Sequence, residues 1–348
     1  MPLYAFGSNG SGQLGIGHNN DTSQPQLVLS SSQWQVKQLA AGGNHTVILC
    51  ADGQVRASGN VKDAGLGVDS KSTDRFSELP LHDPEHGGRR VRQVACTWSA
   101  TILLCNDGTL HTCGTGSSGE LGLGPQITKA STLCRISDFP PANTQVVHIA
   151  ACMAHVVAVL SNGEVYAWGK GRKGQLGEPA VDVWSPRRIE GLDFHATNAI
   201  CGKDFTVVLG AKPYREMAIF GPNRGDRFGV RTSAPASPSS WDHAAASWGG
   251  IYGVEASGRV EAWGRDDHGQ LPSSGLPEIE NLAAGSEHAI ALTKTGKVLA
   301  WGWGEHGNCG EPTDERGDVL ERWVEVAVPG TATAVFAGCA TSFIQTIH

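Results

Sequence analysis

Ala150–Gly177 reads AACMAHVVAVLSNGEVYAWGKGRKGQLG, and the order of its parts recurs from one end of the chain to the other. Small residues lead to a histidine, an apolar run reaches Asn-Gly or Asp-Gly, and a second apolar run ends in Trp-Gly. A turn-rich Gly-Gln-Leu-Gly follows. Further copies open at Ala40 (AAGGNHTVILCADG), Ala95 (ACTWSATILLCNDG), Ile200 (ICGKDFTVVLG), Ala245 (AASWGGIYGVEASG) and Ala283 (AAGSEHAIALTKTG). A seventh is split: Phe336–Ile347 (FAGCATSFIQTI) opens it, and Leu3–Gly17 (LYAFGSNGSGQLGIG) at the other terminus completes it. Self-similarity at about 50 residues marks one repeat array, so residues 1–348 are read as a single domain.

Each unit divides into three or four short antiparallel strands. Val36–Ala41, Thr46–Cys50 and Gln54–Ser58 are typical: apolar, β-branched and punctuated by glycine. Asp52-Gly53, Asp107-Gly108, Asn162-Gly163 and Ser257-Gly258 predict tight hairpins, because these residues tolerate positive φ. One sheet of this size cannot bury both faces, so the units must stack. Four-stranded units suit radial blades better than the shorter coils of a β-solenoid. Seven units predict an all-β, seven-bladed β-propeller, closed by pairing N- and C-terminal strands in one blade. Pairing Tyr4–Phe6 with the C-terminal strands would remove the two exposed sheet edges of an open ring. The unit opening at Ile200 is irregular, being the fifth when the N-terminal fragment is counted first. It lacks Asp-Gly, carries Lys212-Pro213-Tyr214-Arg215, and has Gly221-Pro222-Asn223 where Trp-Gly is usual, which leaves its pairing open.

Bulk properties narrow the function. A net charge of −7 and a pI near 6.0 argue against binding nucleic acid through the overall field. Local basic clusters (Arg89, Arg90, Arg92; Lys170, Arg172, Lys173; Arg187, Arg188) read as solvated loops. The N-terminus, MPLYAFGSNG, has no charged n-region or long apolar h-region of a signal peptide. The longest apolar stretch, Ile149–Leu160, contains His155 and is too short to span a bilayer. The nine cysteines include no C-x-x-C. Cys96, Cys152, Cys201 and Cys339 fall in or beside the small-residue slot held elsewhere by Gly42 and Gly285, and read as small buried hydrophobes of a reducing compartment.

Strand alternation puts the loop between strands one and two on the same face as the loop after strand three. Aligning the first loops gives one column of Gly43, Trp98, Met153, Lys203, Trp248, Ser286 and Cys339. The next column is Asn44, Ser99, Ala154, Asp204, Gly249, Glu287 and Ala340. Trp98, Met153, Lys203 and Trp248 belong to four consecutive units, which predicts an arc resembling a protein-binding hot spot. Asp204 and Glu287 stand beside it, and Trp303, Glu305 and His306 join it from a third-strand loop, with Lys170, Arg172, Arg265 and Asp267 as a polar rim. The bland alternative is tryptophan wedged between units. That is the reading for Trp168, Trp263 and Trp301, each of which ends an apolar strand. His45, His155 and His288 share one position and are expected to pair with a neighbouring unit's backbone.

No catalytic, metal or cofactor site is read. Gly114-x-Gly116-x-x-Gly119, Gly169-x-Gly171-x-x-Gly174 and Gly302-x-Gly304-x-x-Gly307 match a dinucleotide fingerprint as text but lack the helix it requires. Asp266-Asp267 reads as solvated acids in a loop. The innermost column of Ala, Gly and Cys offers a channel enzyme no acid or base.

Val298–Gly310 (VLAWGWGEHGNCG), Val165–Gly177 and Tyr4–Gly17 resemble repeats of the regulator-of-chromosome-condensation family, seven-bladed propellers, and the likeness covers essentially the whole chain. WGWGEHGNCG and the closing GCAT resemble the fungal alpha-tubulin suppressor, or killer-toxin-insensitivity, branch. That resemblance implies a non-catalytic heterodimer with a small CSL-type zinc-finger protein. The pair would serve diphthamide synthesis on elongation factor two and Elongator-dependent modification of wobble uridine in tRNA. It also implies the cytoplasm and nucleus as locations, with no direct contact to nucleic acid or membrane. The founding member's likeness implies an alternative, guanine-nucleotide exchange on a small GTPase. Exchange needs a wedge, for which Val61–Arg90 and Glu311–Val328 are the longer connections, though neither reads as a compact hairpin.

Overall fold

The structure, a computed structural model, describes residues 1–28, 34–60, 74–79, 81–83, 87–88, 90–222 and 225–347. Seven antiparallel sheets form the ring, numbered here by their inner strands. Blade 1 runs Val36–Ala41, His45–Cys50, Val55–Gly59 and Ser77–Glu78; blade 2 runs Val91–Cys96, Ala100–Cys105, Leu110–Thr115 and Lys129–Arg135. Blade 3 runs Val146–Cys152, His155–Leu160, Val165–Gly169 and Val183–Arg188. Blade 4 has three strands, Asn198–Cys201, Thr206–Leu209 and Met217–Phe220, as does blade 5, with Trp241–Ala246, Gly250–Glu255 and Val260–Gly264. Blade 6 runs Ile279–Ala284, His288–Thr293, Val298–Trp303 and Asp318–Glu325. Blade 7 joins Thr331–Gly338 and Thr341–Ile347 to Leu3–Gly7 and Thr22–Leu27 from the N-terminus.

The closure is a five-residue antiparallel register, Leu3 opposite Gln345 through Gly7 opposite Thr341. The inner strands touch in succession round the ring, and Thr331–Gly338 meets Val36–Ala41 to complete it. The irregular unit at Ile200 pairs in clean register over Asn198–Cys201 and Met217–Phe220, but without a fourth strand among the described residues. Its Tyr214 bridges to Trp241 of the next blade instead. Asn223, like Arg89 and most of the Val61–Arg90 connection, lies outside the described residues; within that connection His82–Asp83 pairs with Gly87–Gly88, a short hairpin the sequence did not suggest. Glu311–Val328 is no free wedge: its centre is the fourth strand of blade 6.

Repeat chemistry explains the packing between blades. Trp168, Trp263 and Trp301 are buried, and each indole N–H donates to a carbonyl of the preceding blade's turn region (Glu120, Val230 and Gln270) at 2.9 Å. The glycine after the tryptophan position is required by φ and by space. Gly169 has φ 102°, and a Cβ there would sit 2.4 Å from the Ala154 carbonyl oxygen. The histidine column pairs with the next blade, where hydroxyls join the expected backbone partners. His45, His155 and His288 each hydrogen-bond a hydroxyl of the next blade's second strand, on Thr101, Thr206 and Ser342, at 2.9–3.1 Å. Backbone groups of Phe205 and Thr341 in that same blade also bear on His155 and His288. The small slot before the histidine is steric: Cβ atoms at Gly42 and Gly285 would lie 2.3 and 2.2 Å from the rings of His45 and His288.

The dinucleotide-like glycines are turns. Gly119 donates to Gly116 and Gly122 to Gly119, and the same pair of bonds recurs at Gly171, Gly174 and Gly177. Asp-Gly and its equivalents behave as predicted, with φ of 85°, 81°, 83° and 90° at Gly53, Gly108, Gly163 and Gly258. No helix of the described residues is long and apolar enough to cross a membrane.

Candidate functional site on the loop face

The channel along the axis, about 310 Å³, is walled by more than the Ala, Gly and Cys column read from the sequence, since Gln38, Gln93 and His148 also line it. Its polar groups are already committed. The Gln38 amide bonds both the N–H and the C=O of Val94 in the next blade, and Gln93 does the same to Ile149, all at 2.9–3.0 Å. His148 and His243 bond the carbonyls of Ala199 and Leu282 at 2.9 and 2.7 Å. Burial lowers both histidines, His148 to about 4, so these rings stay neutral girdle groups. Burial also pushes the thiols of Cys96 and Cys201 up to about 12 and Cys152 well above its usual value, which suppresses thiolate chemistry. Among the described residues no group of three or more His, Cys, Asp or Glu is arranged to hold a metal ion.

The first loops form a belt over one mouth of this channel. Gly43 N–H donates to the Trp98 carbonyl at 2.9 Å, and Trp98 N–H to that of Met153 at 2.7 Å. Lys203 N–H reaches Trp248 at 3.0 Å and Trp248 N–H reaches Ser286 at 2.9 Å. The belt turns the side chains inward over the hole. Trp98 lies on Gly43, where a Cβ would fall 2.3 Å from its ring, and stands 6.1 Å from the Trp248 indole, centroid to centroid. The expected arc is therefore a compact cap: residues from blades 2 and 5 meet across the mouth. Trp98 remains 40% exposed and Trp248 is half-buried, so neither is wedged between sheets. Lys203, exposed, places Nζ 5.0 Å from the Trp248 centroid. Met153 is half-buried at the same mouth, with φ 49°.

Trp248 also borders two grooves. One, about 770 Å³, runs outward between blades 5 and 6 to Trp303, Glu305 and the 313–317 loop. The other, about 350 Å³, runs towards Lys203, Asp204 and Phe228. Arg265 and Glu287 form the shared wall. The Arg265 guanidinium pairs with Glu287 and with Asp267, and stacks 5.0 Å from the Phe228 ring. Glu287 is buried and also accepts from Gln270 at 3.0 Å, so it braces the wall instead of projecting from it. Burial raises its carboxyl against the opposing pull of the Gln270 bond and Arg265, while the Arg265 bond holds Asp267 low. His306 bonds Asp21 at 2.9 Å, tying the blade 6 loop to blade 7, and its ring lies 5.7 Å from Trp303.

The nine residues singled out from the sequence thus share one face, with Trp98, Met153, Lys203 and Trp248 at the mouth and Asp204, Glu287, Trp303, Glu305 and His306 along the grooves. Phe228 and Arg227 have no repeat column to align, and the 313–317 loop reads from the sequence only as part of the long Glu311–Val328 connection, not as a wall of this face. The basic clusters are not simply solvated: Arg187 donates to the Leu176 and Pro179 carbonyls at 3.0 and 3.1 Å, Arg188 pairs with Glu164 at 3.0 Å, and Arg172 with Asp182 at 2.8 Å. Nor is Asp266-Asp267 merely solvated: Asp266 accepts the Leu271 N–H at 3.0 Å and Asp267 pairs with Arg265.

The fold has known relatives. The RCC1 repeat-containing protein C10F6.04 of Schizosaccharomyces pombe is 30% identical over 98% of both chains. The secretion-regulating guanine nucleotide exchange factor of Bos taurus is 29% identical over 94% of this chain and 78% of its own. Among solved structures, Prp20p of Saccharomyces cerevisiae superposes with a TM-score of 0.83 at 21% identity, covering 99% of this chain and 90% of that one. The RCC1-like domain profile matches residues 2–344. The chain belongs to the RCC1-like domain family.

Proposed function

We propose that this propeller is a non-catalytic scaffold whose capped mouth docks a small CSL-type zinc-finger protein. Through that heterodimer it supports diphthamide synthesis on elongation factor two and Elongator-dependent wobble-uridine modification. The observation that carries the docking role is the Trp98–Trp248 pair, a large aromatic surface exposed at a face centre and ringed by charged groups. Central aromatic anchors with a polar rim are the residues that dominate protein interfaces. The choice of partner is supported by the likeness of WGWGEHGNCG and GCAT to the fungal suppressor branch. The committed polar groups and suppressed thiols of the channel favour binding over chemistry. Coexpression with the zinc-finger protein followed by gel filtration tests the reading: a one-to-one complex is expected, lost in the Trp98→Ala, Trp248→Ala double variant. A wild-type chain that never co-elutes ends it.

A second reading, guanine-nucleotide exchange, is favoured by the names of two mammalian relatives, secretion-regulating guanine nucleotide exchange factors at 29% and 27% identity. It predicts accelerated release of labelled GDP from one member of a small-GTPase panel at micromolar protein; the scaffold reading predicts none.

A further inference from the structure

Blade 5 stops at three strands because the chain leaves no room for a fourth. Residues 265–278 are all that join Gly264 to the inner strand of blade 6, whereas residues 170–197 join the corresponding strands of blades 3 and 4. In five blades the first residue of the third strand accepts an N–H from just past the fourth: Leu3 from Val28, Val55 from Leu79, Leu110 from Ile136, Val165 from Ile189, and Val298 from Val326, at 2.8–3.0 Å. Every one of those donors is a buried, branched aliphatic residue. The matching carbonyl, on Val260, takes no backbone N–H among the described residues. The side chains show the same gap. Leu3, Val55, Leu110, Val165 and Val298 are buried, whereas Val260 is half-exposed, as is Ala262 two residues on.

A groove of about 580 Å³ opens at this end of the edge. Val260, Pro272 and Leu276 give it an apolar wall, and Arg259 and Glu278 are its charged groups. Complete blades show how a charge just before the third strand is answered. Glu164, before Val165, meets Arg188 at 3.0 Å, and Lys297, before Val298, meets Glu325 at 2.9 Å. Both partners come one residue ahead of the aliphatic donor, as Arg188-Ile189 and Glu325-Val326. Arg259 holds the same place in blade 5. Its side chain is 74% exposed, and its one acid among the described residues is Glu255 at 3.9 Å. Glu255 is itself shared with the Ser239 and Ser257 hydroxyls. The other charges nearby are answered within the chain. Glu278 faces Lys294 at 3.7 Å, and Lys294 donates to the Ala256 and Ser257 carbonyls. Glu261 lies outside the groove: it reaches back over Gly253 to Trp241 Nε1 at 2.8 Å and Ser239 Oγ at 2.7 Å.

We propose that the Val260–Gly264 edge docks an extended segment of a partner protein, in which an acidic residue is followed at once by a branched aliphatic one. The segment adds antiparallel as the missing fourth strand. Its aliphatic residue donates an N–H to the Val260 carbonyl and packs into the groove against Leu276, while its carboxylate meets Arg259. Backbone pairing supplies the affinity, and the two side chains supply the selectivity. The edge is on the outer rim of the ring, so it stands or falls independently of the loop-face site.

Three capped heptapeptides serve as probes, with hydrogen exchange of the full chain as the readout. One alternates Thr with Val and closes in Glu-Ile-Thr; the second carries Lys for its Glu, and the third Gly for its Ile. At millimolar concentration the Glu-Ile peptide should bind and slow exchange at Ala262, and both controls should bind more weakly. Arg259→Gln should weaken the Glu-Ile peptide about twofold to fivefold, the range of an exposed ion pair. Arg259→Glu should invert the order, so that the Lys peptide binds better than the Glu peptide. Ala262→Pro, which removes an outward N–H at an edge, should abolish binding while the thermal melt stays cooperative. Equal binding of the Glu and Lys peptides, an order that Arg259→Glu leaves unchanged, protection elsewhere only, or no binding would overturn the proposal. Self-association that protects Ala262 without peptide would overturn it in favour of a second copy.

Discussion

Trp98 and Trp248, carried by blades 2 and 5, bring their indoles to 6.1 Å at an interplanar angle of 43° across the channel mouth. Two residues 150 positions apart in sequence thereby make one aromatic surface, and the partner-binding consequence is direct. Replacing either by alanine should cost at least about 2 kcal/mol of partner affinity. Trp98→Ala should do so with little change in melting temperature, because its ring is 40% exposed. Calorimetry on the two single variants and the double variant would show coupling of about 0.5–1.5 kcal/mol if the indoles act as a pair. Unchanged affinity in the double variant places the interface elsewhere.

Acid should loosen the ring through its buried histidines. Burial holds His45, His155 and His288 down at about 4, against about 6.5 for an unfolded histidine. Between those values the unfolded chain binds the extra protons, so the contribution is complete above pH 6.5 and is lost as pH falls towards 4. Each ring accounts for about 1–3 kcal/mol over that window. Urea midpoints should fall from pH 7 to pH 4, and less steeply in a triple His→Gln variant, which keeps a donor to the neighbouring hydroxyls but does not titrate.

The glycine that follows the tryptophan position should resist substitution. At Gly59, Gly169 and Gly302 φ is 90–103°, and an added Cβ would approach a loop carbonyl to 2.4–2.7 Å. Gly169→Ala should destabilise by about 2 kcal/mol or more through strain and forced movement of the Ala154 loop. Gly53→Ala, with positive φ but open space, should cost only about 1 kcal/mol. Equal losses at the two sites would refute the steric account.

Removal of 337–348 should unfasten the molecule as a whole. That segment carries Thr341–Ile347, the only link between Leu3–Gly7 and Thr331–Gly338 in blade 7. The truncated chain should lose its single cooperative melt and expose two sheet edges, with aggregation on concentration. A truncated chain that melts like the full-length protein would show that blade 7 is dispensable.

The sequence by itself determined the architecture. A motif that places Trp-Gly, Asp-Gly and a histidine at fixed intervals can satisfy its turns and bury its strands only as stacked like sheets, and a copy split between the termini can be completed only by closing the ring. It also determined which loop residues share a face, since strand alternation is a local rule. The tertiary structure decided what those residues touch. Nothing in the spacing says that Trp98 leans over Gly43 to meet Trp248, that Glu287 turns inward to brace Arg265, or that the repeated histidines find hydroxyls. Nor do the repeats disclose the open edge of blade 5, because a missing strand leaves no motif to read. Periodicity fixes position along the chain and around the ring; contacts across the ring depend on its radius and on side-chain volume, which exist only once the seven sheets have closed.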